Sequence, residues 1–212
     1  MNFATITPHR GGERNEFFKF CMEQLVNISG GLNSYLMNER PTSNEPDLIP
    51  RIKKGIDLAK RDGYKAVYIV EDDDYYPKDY FQTLDIGEYD FVGFSSTTYY
   101  NLRNRTYATF THPGRSSLFT TAFKISAMDK FVWPPDNKVF LDISLWDYAK
   151  KAKKKVKLYE ENPCLGIKHS VGLCGGKGHR MKMKNYDRDL KFLRSRVSDD
   201  AFEFYSKIMV ML

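Results

Sequence analysis

The sequence predicts an α/β fold: a mixed, mainly parallel sheet flanked by helices, built as one domain. Three observations carry that expectation. Short β-favouring runs alternate with amphipathic helical stretches through the first 95 residues, the pattern of βαβ crossovers. Ala66–Val70 is a continuous apolar run, as a strand buried on both faces requires. Finally, 212 residues, 42% of them hydrophobic and 15% aromatic, supply enough apolar surface for one core with elaborations. That amount excludes a disordered chain or a peptide scaffold.

The elements follow in order. Phe3 to Thr7 is a β-favouring run ending at Pro8, and the turn-rich His9-Arg10-Gly11-Gly12-Glu13-Arg14 follows it. A helix is expected from about Asn15, with Phe17, Phe18, Cys21, Leu25 and Ile28 on one face and Gly30-Gly31 as its stop. Leu32 to Met37 reads as a second strand and Arg40 to Pro46 as a polar, proline-bounded loop. Asp47 then caps a helix with the stripe Ile49, Ile52, Ile56 and Ala59, ending at Gly63. Beyond the Ala66–Val70 strand, β-prone stretches occur at Asp90–Ser95, Thr106–Thr111 and Leu118–Ile125, predicting a mixed extension of the sheet. A short helix is expected from Ser126, another from about Asp142 to Lys153, and one or two more between Asn185 and Leu212, with Ser198-Asp199-Asp200 as a cap. No repeat or low-complexity segment interrupts this order. A single domain over residues 1–212 is expected, with a ligand-binding half to about residue 95 and a second half from about 96. The Arg40–Pro46 and Gly172–Gly178 segments are expected to be its mobile loops.

Net charge is +6, and it is unevenly placed. Residues 150–196 hold 15 Lys and Arg against 4 Asp and Glu, while the remainder is net acidic. This points either to an anionic partner or to a solvated lysine face. Three cysteines, Cys21, Cys164 and Cys174, form an odd set best read as reduced thiols. No apolar run is long enough to span a membrane, and the first residues lack a basic-then-apolar profile, so a soluble, cytoplasmic protein is expected.

The residues richest in chemistry are Glu71-Asp72-Asp73-Asp74, directly after the apolar strand. Ligands of open α/β sheets bind at the carboxyl ends of strands. Four adjacent carboxylates repel one another, so such a crowd is stable only where a cation or strong donors offset it. Hard oxygen ligands suit Mg²⁺ or Mn²⁺. The competing explanation is an acidic first turn on the helix that begins near Tyr80. At the same sheet edge the first βα loop, Thr7 to Arg14, offers Arg10 and Arg14 to phosphate oxygens and glycines for close backbone approach. It has neither a Walker A pattern nor a Gly-x-Gly-x-x-Gly fingerprint, which argues against a P-loop NTPase or a Rossmann dehydrogenase.

The order of strand, Thr-Pro-x-Arg loop, amphipathic helix, strand, long helix, apolar strand and acidic cluster resembles the N-terminal half of GT-A glycosyltransferases. Within it, Val70-Glu71-Asp72-Asp73-Asp74-Tyr75-Tyr76-Pro77-Lys78-Asp79-Tyr80-Phe81 resembles the Glu-Asp-Asp segment of N-acetylglucosaminyltransferase I-like enzymes. The resemblance implies a nucleotide-sugar donor, by analogy a UDP-sugar, and an Mn²⁺ or Mg²⁺ ion approached by Asp73. The extra acidic residue leaves the choice among Asp72, Asp73 and Asp74 open. Thr7, Pro8, Arg10, Arg14, Glu71 and Asp72 are expected on the donor, and Asp73, Asp74 and His169 on the metal.

Transfer with inversion also needs a base for the acceptor hydroxyl. Asp142, in Phe140-Leu141-Asp142-Ile143-Ser144-Leu145-Trp146, is the candidate, and helix capping is its alternative role. Asp147 is a weaker second candidate. Farther on, Cys164 to His179 gives two readings. In one, His169 or His179 completes the metal shell and the Gly-Gly-Lys-Gly loop closes on the diphosphate through Lys177. In the other, Cys164, His169, Cys174 and His179 bind zinc, at an unusual even spacing. The cations and aromatics from Lys182 to Arg196 also permit nucleic-acid binding or a plain amphipathic helix. The sequence therefore points to a metal-dependent glycosyltransferase whose acceptor can be polyanionic, an acidic glycan or a modified nucleic acid. The alternatives are a metal-dependent nucleotidyl- or phosphotransferase and a basic nucleic-acid-binding module.

Overall fold

The computed structural model of the protein describes residues 2–29, 34–41, 45–169 and 182–212. The expected alternation is present as β1 (Phe3–Pro8), α1 (Asn15–Ser29), β2 (Ser34–Met37), α2 (Leu48–Arg61) and β3 (Ala66–Ile69). There follow α3 (Tyr80–Thr83), β4 (Phe91–Phe94), β5 (Ser96–Asn101), β6 (Thr106–Thr111), β7 (Ala122–Lys124) and α4 (Leu141–Lys151). The chain ends with β8 (Val156–Tyr159), β9 (Leu165–Lys168), β10 (Asn185–Tyr186), α5 (Lys191–Arg196) and α6 (Asp199–Met211).

Six strands form the main sheet in the order β2-β1-β3-β7-β4-β8. β1 is parallel to β2 and β3, β4 is parallel to β8, and β7 runs antiparallel between β3 and β4. The β3 residues show why the run is continuously apolar. Val67 and Ile69 join the core under α2 and α4, while Ala66 and Tyr68, with the following Val70, join the core under α1. Each of the Val and Ile side chains contributes about 1.5–3 kcal/mol on burial. Gly55 lets α2 lie close on β1, because a Cβ there would come within 2.6 Å of Ile6. A second sheet, β10-β6-β5-β9, pairs β5 parallel with β9 and antiparallel with β6. The two sheets are joined by mutual backbone bonds between Tyr75 and Leu165, of 3.0 and 3.2 Å. Helices α5 and α6 pack over this join through Leu193, Ala201 and Tyr205.

Several sequence expectations change. Leu118–Ile125 is not one strand but a 3₁₀ turn, Leu118–Thr120, followed by β7. The Ser117 carbonyl accepts from Thr121 Oγ1 at 2.8 Å and holds the turn. The helix expected from Ser126 is a 3₁₀ turn, Ile125–Met128, and Asn185 begins a strand rather than a helix. β5, β8 and β9 carry no strand expectation from sequence. Ser198 caps α6 as expected, accepting from the Ala201 amide at 3.4 Å. Asp47 precedes α2 but makes no side-chain cap bond. Gly30-Gly31, residues 42–44 of the Arg40–Pro46 loop and the Gly172–Gly178 stretch lie outside the described residues.

Asp47 instead accepts from Arg51, at 3.0 Å from Nε and 2.7 Å from Nη2. The same guanidinium donates to the carbonyls of His9, Met37 and Glu39, at 2.9, 2.8 and 2.7 Å, tying together the carboxyl ends of β1 and β2. Arg51→Met would leave these acceptors and the Asp47 charge without their donor. We expect a loss of about 3 kcal/mol or more, read as a drop of roughly 6–12 °C in thermal midpoint. A drop under about 2 °C would show that the staple carries little. Among the described residues no helix is long and apolar enough to cross a membrane.

Candidate active site

β1 is flanked by β2 on one side and β3 on the other. The intervening helices α1 and α2 lie on opposite faces of the sheet. The chain leaving the carboxyl end of β1 runs to β2 on one side, while the chain leaving β3 runs toward β4 on the other, so a crevice opens between the carboxyl ends of β1 and β3. The loop after β1 and the acidic run after β3 face each other across it.

The four carboxylates divide into two groups. Asp72 is fully buried and already held: His9 donates to it through Nδ1 at 2.5 Å, and Arg14 is ion-paired with it. Glu71, Asp73 and Asp74 instead turn ligand oxygens toward one another, all within 4.8 Å, the arrangement of a cation site. Asp73 also accepts from His169 Nε2 at 2.9 Å and lies 3.3 Å from Arg14. Asp74 accepts from the Ile167 amide at 2.7 Å, so β9 buttresses the cluster from behind. Two consecutive residues of α1 brace the two histidines: Phe18 stacks on His9 at 4.1 Å and Phe17 on His169 at 4.3 Å.

Charge crowding shows in the acidities. Burial, followed by the neighbouring Asp73, pushes Glu71 up to about 7 and raises Asp74 well above the usual carboxylate range. Burial acts the same way on Asp73, but Arg14 and the His169 bond outweigh it and hold Asp73 well below that range. Lys168, at the end of β9, is pulled down by burial and up more strongly by Asp74, Asp73 and Glu71, so it remains a cation beside them. Arg14 and Lys168 offset part of the four negative charges. Three crowded hard oxygen donors, two of them with pKa values pushed up by burial and by Asp73, are a set that a divalent ion would relieve.

Asp142 lies one residue inside α4, where Phe140 is the cap residue and makes no cap bond. Its carboxylate is ion-paired with Arg115 and is near enough to Glu71 to add to the upward shift of that residue's pKa. It therefore lies within electrostatic range of the cluster. Asp147 is exposed on α4. Thr7 and Pro8 are buried at the end of β1, Thr7 with an Oγ1 that has no hydrogen-bond partner. Arg10 turns away from the cluster, donating to the Glu45 carbonyl at 2.9 Å and lying 3.5 Å from Asp47. Lys177, Cys174 and His179 lie outside the described residues. Cys164 and Cys21 are buried thiols whose acidity burial lowers, that is, raises in pKa, so neither is reactive.

Sequence reasoning assigned no role to His9, Lys168 or Arg115. His9 and Lys168 adjoin residues that were singled out, and their chemistry is the only signal; Arg115 had none. Behind Arg115, His112 Nε2 lies 3.2 Å from Ser117 Oγ, which also meets Thr97 and Tyr99 hydroxyls at 2.9 Å. Burial and then Arg115 lower His112 from 6.5 to about 4. The unfolded chain thus binds this proton at a higher pH than the folded one. The stabilising contribution is complete above about pH 6.5 and is lost as pH falls toward 4. The thermal midpoint should decline across that window, and His112→Gln should flatten part of the decline. An identical slope in the variant would remove His112 as the cause.

The fold is the mixed α/β architecture of GT-A glycosyltransferases. A structure of S. aureus TarS residues 1–349 in complex with UDP-GlcNAc superposes with a TM-score of 0.56 at 11% identity, covering 85% of this chain and 62% of that one. A second TarS structure gives 0.54 at 11% identity, over 79% and 61%. A glycosyltransferase involved in glycosylation of the major capsid of PBCV-1 gives 0.50 at 12% identity, over 76% and 82%. The chain thus spans under two thirds of the TarS fragment. No protein-family profile matches the chain, and no curated protein matches it in sequence.

Proposed function

We propose that the chain is a metal-dependent glycosyltransferase domain that moves a sugar from a nucleotide-diphosphate sugar, a UDP-sugar, to an acceptor hydroxyl with inversion. The observation that carries this reading is the juxtaposition, on a GT-A fold, of the Glu71, Asp73 and Asp74 carboxylates at the end of β3 with Asp142 at the start of α4. The UDP-GlcNAc held by TarS supports the choice of donor class.

Glu71, Asp73 and Asp74 would hold Mn²⁺ or Mg²⁺, which when bound supplies a Lewis acid for the leaving diphosphate. His169 keeps the Asp73 carboxylate turned into the cluster, and Asp72 serves as the anchor for His9 and Arg14 rather than as a ligand. Arg14 and Lys168 keep positive charge beside the diphosphate position, and Lys177 is assigned to the phosphates as a further cation; Arg10, engaged with Glu45 and Asp47, is not assigned to them. Thr7 and Pro8 line the donor crevice with backbone. Asp142 takes the proton of the acceptor hydroxyl, and its pairing with Arg115 fixes where that carboxylate points.

The test is product analysis with a panel of nucleotide sugars, with Mn²⁺ and with EDTA. Release of nucleoside diphosphate that EDTA abolishes is the expected result. Release of pyrophosphate from nucleotide substrates, or no release at all, would overturn it.

A further inference from the structure

We propose that the exposed cations around the β5–β6 hairpin tip and β10 dock an acidic polysaccharide, making the acceptor a carboxylate-bearing glycan; this rests on the transferase reading. The parallel pairing of β5 with β9 sets Asn101 against Lys168, and the Leu102 amide donates to the Lys168 carbonyl at 2.8 Å. The hairpin tip therefore lies at the same edge of the molecule as the acidic cluster. Arg103 and Arg105 are exposed on it. β10 pairs with β6 at Asn185–Tyr107 and Tyr186–Thr106, and the Asp187 amide donates to the Arg105 carbonyl at 2.8 Å. This places the exposed Lys182, Lys184 and Arg188 alongside.

None of these five cations has an ion pair among the described residues. The nearby carboxylates are occupied. Asp187 is buried, accepting from Tyr100 Oη at 3.1 Å and from the Phe192 and Leu193 amides at 3.0 Å, and Asp189 pairs with Lys191 at 2.6 Å. Part of the other basic run is engaged locally. Lys155 pairs with Glu88, and Lys154, Lys155 and Lys157 lie over the rings of Tyr148, Tyr89 and Tyr159. That run guards the edge strand β8. Three of the five carriers beside the site are arginines, whose planar fork matches a carboxylate.

A nucleic acid fits less well. Single-stranded recognition needs free aromatic platforms. Phe192, one of the interleaved aromatics, is spent inside, stacked on Tyr107 at 3.5 Å, and the exposed Tyr186 ring has the Arg188 guanidinium over it at 5.7 Å.

The experiment measures binding of labelled polygalacturonate fragments to the full chain by anisotropy across a salt series, with neutral dextran and an oligothymidylate at equal charge concentration as comparators. Wild-type binding that weakens with salt is expected. The pairs Arg103→Gln with Arg105→Gln, and Lys184→Gln with Arg188→Gln, should each weaken it about tenfold and reduce the salt slope by roughly two. Lys153→Gln with Lys154→Gln should leave it unchanged, and all three pairs should retain Mn²⁺-dependent donor hydrolysis. Unaltered binding in the hairpin and β10 pairs, equal binding of dextran, or tighter binding of the oligothymidylate overturns the proposal. Hydrolysis without polygalacturonate binding overturns this proposal alone. Absence of hydrolysis in the wild type overturns the transferase reading and the acceptor assignment with it.

Discussion

Asp73→Asn is expected to abolish metal-stimulated release of UDP, lowering kcat/KM by about a thousandfold or more. Asparagine keeps the shape of the side chain and an oxygen that can accept from His169 and Arg14, so the cluster should remain folded. What it removes is the carboxylate that the surroundings work hardest to keep ionised: Arg14 and His169 outweigh the burial of Asp73, whereas Glu71 and Asp74 are both raised. The two remaining carboxylates would be left without the strongest anion of the set. Thermal stability measured with and without Mn²⁺ separates the loss of the ion from loss of the fold, because a ligand that binds only the native state raises its midpoint. The wild type should gain from Mn²⁺ and the variant should not. A variant that keeps both the Mn²⁺ shift and activity within about threefold would remove Asp73 from the site.

Asp142→Asn should have the second largest effect and a different signature. Loss of a positioned base costs about 10² to 10⁴ in the transfer step. Binding of the donor should persist, because the role proposed for Asp142 serves the acceptor and its charge adds to the crowding around Glu71. Transfer to acceptor is therefore expected to collapse while donor affinity and the Mn²⁺ shift stay near wild type. The Arg115 ion pair sharpens the test, since amide in place of carboxylate also frees that guanidinium. If transfer survives within tenfold, Asp142 is a structural partner of Arg115 and the base is elsewhere.

The parts of this site legible in the sequence are those with a local signature. β3 is legible because both of its faces are buried, so every residue is apolar, and the acidic run is legible because it follows at once. α1 and α2 are legible through their apolar stripes. The division of labour among the four carboxylates was not legible, because it depends on His9, Arg14 and His169 approaching from separate elements. His9 meets Asp72 across 63 residues of sequence and His169 meets Asp73 across 96. β5, with the polar sequence Ser-Thr-Thr-Tyr-Tyr-Asn, gave no alternation of the usual kind, because Thr97, Thr98 and Tyr100 are buried with their hydroxyls bonded, Thr97 to Ser117 among them. Arg51 sits in the apolar stripe of α2 and looks like an interruption there. Its use as a staple becomes visible only when three carbonyls and Asp47 converge on it.

The 96-residue span between Asp73 and His169 also has a bearing on synthesis. A ribosome adding about 5–20 residues per second needs roughly 5–20 s to move from one to the other. During that interval the nascent chain carries the acidic run without β9, the Ile167 amide, Lys168 or His169. β7, the strand that seats β4 beside β3, is also delivered late. The carboxylate cluster is thus among the last features to acquire its native surroundings, and the divalent ion proposed for it would act on assembly of the protein as well as on the proposed chemistry.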